Sequence, residues 1–191
     1  MTSALYIPKP NDQRLDTKFE WDNVSLIGNV QCMGNGFEDI LASLAMEFKI
    51  PTLNPGSTYN YYALFYGTLR KHLSRSPKRH HYFNTSFHAI VLNLILEANN
   101  IPVRCKRKST KNVHFALAKL EETERIILLS LNTSVGRHIV RVNAITGDNV
   151  NANDPYGKNP YTVDKAGGFK NYSIDEIHKM GVNSVVWLQK I

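Results

Sequence analysis

The spacing of hydrophobic positions changes near residue 100. Before it, Phe37, Leu41, Leu44, Ala45 and Phe48 fall on one stripe and predict a helix over about 36–49. Pro51 and the Asn54-Pro55-Gly56-Ser57 run stop it. A second helix is predicted over 59–74, followed by a basic loop around Pro77. A third covers about 84–100, with Thr85 or Ser86 near its start and Asn99-Asn100 at its end. Beyond residue 100 the apolar runs are short and β-rich, so 103–108, 114–120, 125–132, 136–145 and 149–154 read as strands. A last helix over 173–180 opens on a capping box, Ser173 with Glu176 three residues on, and a strand over 184–190 ends the chain. Residues 1–24 read as an irregular arm ahead of a short strand at 23–28. Helices first and an antiparallel sheet after make an α+β layout, read as a single domain over 1–191.

Composition narrows the class. The 191 residues, 42% hydrophobic and 20% charged, fit one globular domain with a real core. No apolar run reaches the ~20 residues that span a bilayer, so no membrane partner is expected. The start of the chain lacks a basic, then apolar, export signal. The expected location is the cytoplasm, or release to the cell wall by a route that needs no signal. Cys32 and Cys105 are too few for a disulfide framework, and no Cys/His spacing makes a zinc site. No cofactor is implied. The net charge of +7 gives affinity for something anionic, such as nucleic acid, teichoic acid or the carboxylates of a wall polymer. Arg70, Lys71, Arg75, Lys78 and Arg79 are the candidate contacts, and a merely solvated basic face is the alternative. Aromatic and basic residues interleave over 59–72, as in nucleic-acid-binding surfaces. However, Tyr61, Phe65 and Leu69 sit at helical spacing, which suits a packed helix and makes nucleic acid the weaker reading.

The most informative segments are 136–145 and 149–154, whose connection through Thr146-Gly147-Asp148 reads as a hairpin. A turn centred near Thr146-Gly147 sets His138 opposite Pro155 and next to Asp154. A carboxylate beside an imidazole fixes its tautomer and raises its pKa, as a general base needs. A structural His–Asp pair at a strand end is the alternative.

These residues resemble a known family. The stretch 136–157 is similar to the Gly-His strand and Asn-Asp-Pro turn of papain-like cysteine peptidases, in the bacteriocin-leader-processing (double-glycine) branch. That branch includes domains of bacteriophage proteins and cell-wall hydrolases. The resemblance implies a papain-like fold, N-terminal helices on a C-terminal antiparallel sheet. It makes His138 the general base and Asp154 its orienting partner. The family's nucleophile opens a helix with a Ser-Leu-Ala-Met-like run, matched here at Ser43–Met46, and Gln31 fits the upstream oxyanion-hole Gln.

Aligned through that run, the nucleophile position holds Asp39. Cys32 lies seven residues earlier, and Asn35 with Glu38 three residues on reads as an N-cap that leaves Cys32 outside the helix. Three readings follow. Asp39 acts, facing His138, in an enzyme that hydrolyses peptide or peptidoglycan bonds; or the groove is inactive and binds peptide or wall polymer; or Cys32 reaches His138 through the Gly-rich loop and serves as a thiol nucleophile. The first is the leading expectation.

Overall fold

The computed structural model describes residues 18–21, 24–27, 32–134, 136–155 and 168–191; Gln31 lies outside the described residues. Strands β1 (Lys18–Trp21) and β2 (Val24–Ile27) form a two-stranded antiparallel sheet. β1 falls inside the arm read as irregular, and its Lys-Phe-Glu-Trp alternation is the period-2 signal that reading passed over. Helices α1 (Cys32–Glu47), α2 (Thr58–Leu73), α3 (Arg79–Tyr82) and α4 (Thr85–Ala98) follow. Then come β3 (Val103–Ser109), α5 (Val113–Thr123), β4 (Ile127–Thr133), β5 (Gly136–Thr146), β6 (Asn149–Asp154), β7 (Gly168–Ser173), α6 (Ile174–Met180) and β8 (Val182–Lys190). The last six strands form one sheet in the order β3-β8-β4-β5-β6-β7, each pair antiparallel. The α+β class is borne out.

Local chemistry explains most element boundaries. Ser57 Oγ accepts from Asn60 N at 3.1 Å ahead of α2, and Asn84 Oδ1 accepts from Ser86 N at 2.9 Å ahead of α4. The Ser173–Glu176 capping box forms as read, at 3.1 and 2.7 Å. The segment 114–120 is a correction. It is helix α5, because Val113, Ala116, Leu117 and Leu120 bury one face at 3.6-residue spacing and Asn112 Oδ1 caps Phe115 N at 2.9 Å. Its alternating Phe115-Ala116-Leu117 imitated a strand over too short a window.

The sheet is covered on both faces. On one, α1, α2 and α4 pack Phe37, Leu41, Phe65 and Leu92 against Leu128, Ile139 and Val186. On the other, α5 and α6 pack Val113, Leu117 and Ile177 against Leu129, Val140 and Val150. His88 sits wholly inside the first layer, stacked 4.2 Å from the Phe65 ring. Its Nε2–H donates to the Tyr82 carbonyl at 2.9 Å, so Nδ1 accepts from the Tyr61 hydroxyl at 2.6 Å. Burial holds its pKa down at about 3, and it is a neutral core histidine.

Two features of β5 and α1 position the site. At the hairpin end, Thr146 pairs with Asn149, Ile145 with Val150 and Ala144 with Asn151; beyond it, Val142 pairs with Ala152 and Arg141 with Asn153. Asn143 is the extra residue of a β-bulge, and its amide donates to Asn151 Oδ1 and Asn153 Oδ1 at 3.3 and 3.4 Å. Helix α1 is squeezed between α2 and the sheet. A Cβ on Gly34 would lie 2.4 Å from Tyr62 Cε2, and one on Gly36 would lie 3.1 Å from Leu128 Cδ2.

Candidate active site

Helix α1 begins at Cys32, not near Gly36. Asn35 is no cap. It is 2% exposed inside the helix, and its side chain is hydrogen-bonded to Thr58 of α2, as is Glu38 Oε2 at 3.1 Å. Gly34, Asn35 and Gly36 are poor helix formers in isolation. The close approach of Tyr62, Leu128 and Ile139 selects the two glycines and Thr58 holds Asn35, so tertiary packing overrides propensity and carries the helix back to the cysteine. The sequence signal for this was the apolar stripe itself, which extends back from Phe37 to Met33, one turn earlier.

His138 stands on β5 and Asp154 ends β6. Beyond the bulge, His138 shares the sheet face of Val140 and Val142, while Asp154 shares that of Val150 and Ala152. These are one face, and His138 Nε2 donates to Asp154 Oδ1 at 2.7 Å, with the residues 1% and 0% exposed. The expected His–Asp contact is present, although the register differs from the one read from the turn, because the turn is Gly147-Asp148 and Asn143 adds a residue. Tyr172 of β7 donates its hydroxyl to Asp154 Oδ2. Sequence reasoning missed Tyr172, since β7 was not read as a strand.

The Cys32 side chain lies beside His138 and acts on its charge, and with Nε2 held by Asp154 the ring nitrogen left to serve the sulfur is Nδ1. Burial pulls the His138 pKa down. The hydrogen bond to the Asp154 carboxylate and the neighbouring Cys32 sulfur outweigh it and raise the pKa to about 9.

Asp39 does not face His138. Its Oδ2 lies 3.1 Å from Arg141 Nη1 in a pair 7% and 1% exposed, with Asn153 hydrogen-bonded to the same carboxyl. Arg141 is three residues from His138 on a regular stretch of β5, so it occupies the opposite face. Burial raises the Asp39 pKa to about 7 against the lowering effects of Arg141 and Asn153. A charged residue inside the Ile139-Val140-Arg141-Val142 run was the available signal, since a buried cation needs a partner. A small cleft is lined by Asn35, Gly36, Asp39, Ile139, Arg141, Asn153 and Pro155.

Arg70, Lys71, Arg75, Lys78 and Arg79 are all exposed on α2, α3 and the intervening loop. Among the described residues no cluster of three or more His, Cys, Asp or Glu side chains could hold a metal, and no helix is long and apolar enough to cross a membrane.

No family model matches the chain, and no curated protein matches it. Among solved structures it is similar to a double glycine motif protease from an AMS/PCAT transporter, crystallised with the leader peptide. The TM-score is 0.48 at 13% identity, over 100% of this chain and 96% of that one.

Proposed function

We propose that the protein is a thiol hydrolase that cleaves peptide amide bonds, with Cys32 as nucleophile, His138 as acid–base group and Asp154 as the carboxylate that orients it. One observation carries the reading. A cysteine at the first residue of a 16-residue helix lies beside an imidazole that a buried carboxylate holds by its Nε2. A helix N-terminus and an adjacent imidazolium are the two surroundings that favour a thiolate. The order of thiol on a helix, imidazole on a strand and carboxylate on the next strand is also the one implied by the papain-like resemblance.

In this reading His138 Nδ1 takes the Cys32 proton, and the thiolate so formed attacks the substrate carbonyl carbon. The N–H groups of the first turn of α1 are the donors this reading assigns to the oxyanion. Collapse of the tetrahedral adduct breaks the C–N bond, and His138 returns the proton to the departing amine. Water, deprotonated by His138, then hydrolyses the thioester and frees Cys32. Asp39, paired with Arg141, has no part in these steps.

The test is cleavage of a mixed peptide library and of purified peptidoglycan by wild type, Cys32→Ala, His138→Ala and Asp39→Asn. Loss in the first two variants with retention in Asp39→Asn is expected. Activity that survives in Cys32→Ala refutes the thiol mechanism. No turnover of either substrate by wild type, with both bound, favours a binding domain instead.

A further inference from the structure

Among the described residues, Asp39–Arg141 is the most deeply buried ion pair that the proposed chemistry leaves unused. We propose that it is a positioning device: it fixes how far α1 is slid along β5, and thereby sets Cys32 against His138. The proposal rests on Cys32 being the nucleophile.

Two rulers lie side by side here. Seven helical residues separate Cys32 from Asp39, about 10.5 Å at 1.5 Å per residue. Three strand residues separate His138 from Arg141, about 10 Å at ~3.3 Å per residue. The contacts between the rulers run in the same order: Cys32 with His138, Gly36 against Ile139, Asp39 with Arg141. Pinning the third contact fixes the first.

Beside this pair the contacts of α1 with the sheet are apolar, Gly36 lying against Leu128 and Ile139. Apolar contacts are non-directional and tolerate a slide. A carboxyl paired at 3.1 Å with a guanidinium from β5 and bonded by an amide from β6 ties α1 to two strands at one point. Asn153 itself belongs to a row of amides, with Asn143 donating to both Asn153 and Asn151 and Asn151 donating to Asn171 Oδ1 at 3.0 Å. The clamp is thus tied to the bulge that turns His138 toward Asp154.

The measurement is the rate of iodoacetamide alkylation at each of the two cysteines, resolved by peptide mass at pH 8. Cys105 is 3% exposed with its thiol pushed up to about 12 by burial, so it stays silent while the fold holds and reports unfolding. Asp39→Ala and Arg141→Met are each expected to slow Cys32 by at least about tenfold with Cys105 silent. Their double variant should lose no more than the worse single, since the two act as a unit. Asp39→Asn keeps an acceptor for Arg141 and should stay within about threefold of wild type, a rescue that a mere space-filling role does not predict. Wild-type rates in Asp39→Ala overturn the proposal, as does a multiplicative loss in the double variant. Should Cys105 react in both single variants, Arg141→Lys decides. It keeps charge without the planar fork, and is expected to slow Cys32 alone; a reactive Cys105 there too overturns the proposal. A wild-type Cys32 no faster than in urea-unfolded protein defeats the nucleophile reading instead. Amide exchange over Cys32–Phe37, expected to quicken in Asp39→Ala, then still tests the clamp.

Discussion

Asp154 holds His138 with one carboxylate oxygen and receives the Tyr172 hydroxyl on the other. Neither oxygen is exposed, and strands on both sides of β6 supply the two donors. The carboxylate therefore cannot rotate without breaking a buried hydrogen bond, and the plane and tautomer of the imidazole are fixed with it.

Asp154→Asn keeps the shape but removes the charge and one acceptor. Peptide cleavage is expected to fall by about 10²–10⁴ in kcat with little change in KM, as when the orienting carboxylate of a triad is neutralised. Steady-state kinetics on the best library peptide check this, and a loss confined to KM contradicts the assigned role.

Tyr172→Phe leaves Asp154 Oδ2 buried without its donor. Stability should drop by about 1–3 kcal/mol, measured from urea midpoints. Activity should fall less than in Asp154→Asn, because the bond to His138 remains.

The two perturbed groups give stability slopes in separate pH windows. His138 has its folded pKa raised from 6.5 to about 9, so its contribution is full below about 6.5 and is lost as pH rises through 9. Asp39 has its folded pKa raised from 3.8 to about 7, so the native state holds a proton that the unfolded chain has released. Stability therefore declines from about pH 4 to 7 on its account. At pH 5 an Asn mimics the protonated acid, and Asp39→Asn should lie within about 1 kcal/mol of wild type. At pH 8 it should be the more stable of the two, and its urea midpoints should show no decline across pH 4–7 from this site. An Asp39→Asn variant much weaker than wild type at pH 8 would show that the pair is a net stabiliser.

Gly34→Ala tests the squeeze on α1. On propensity alone the change should stabilise a helix by about 1 kcal/mol. With Tyr62 Cε2 and Cζ at 2.4 and 2.8 Å from the new methyl, it should instead destabilise by about 1–3 kcal/mol in thermal and urea melts.

Much of this fold is legible in the sequence, and the exceptions share a cause. The start of α2, the capping box of α6 and the β5–β6 hairpin are set by local chemistry, and all three were readable. The start of α1 was not. Asn35 and Glu38 imitate a cap, and only contacts with Tyr62, Leu128 and Ile139, distant in sequence, reveal why glycines fill a helix. The His138–Asp154 pair was legible because residues flanking one tight turn must meet. Asp39–Arg141 was not, because it joins elements about a hundred residues apart.

The bulge at Asn143 has a consequence for which changes of length this chain tolerates. Near the turn, even-numbered positions of β5 pair with odd-numbered positions of β6; past Asn143, even pairs with even. Only the second parity puts His138 and Asp154 on one side of the sheet. Residues added at the Gly147-Asp148 tip lengthen the hairpin and leave the pairing below it intact. Deleting the single residue Asn143 restores an unbroken ladder, a locally more regular structure, and turns the imidazole away from its carboxylate. At this position a gain in regularity and the loss of the site are the same event.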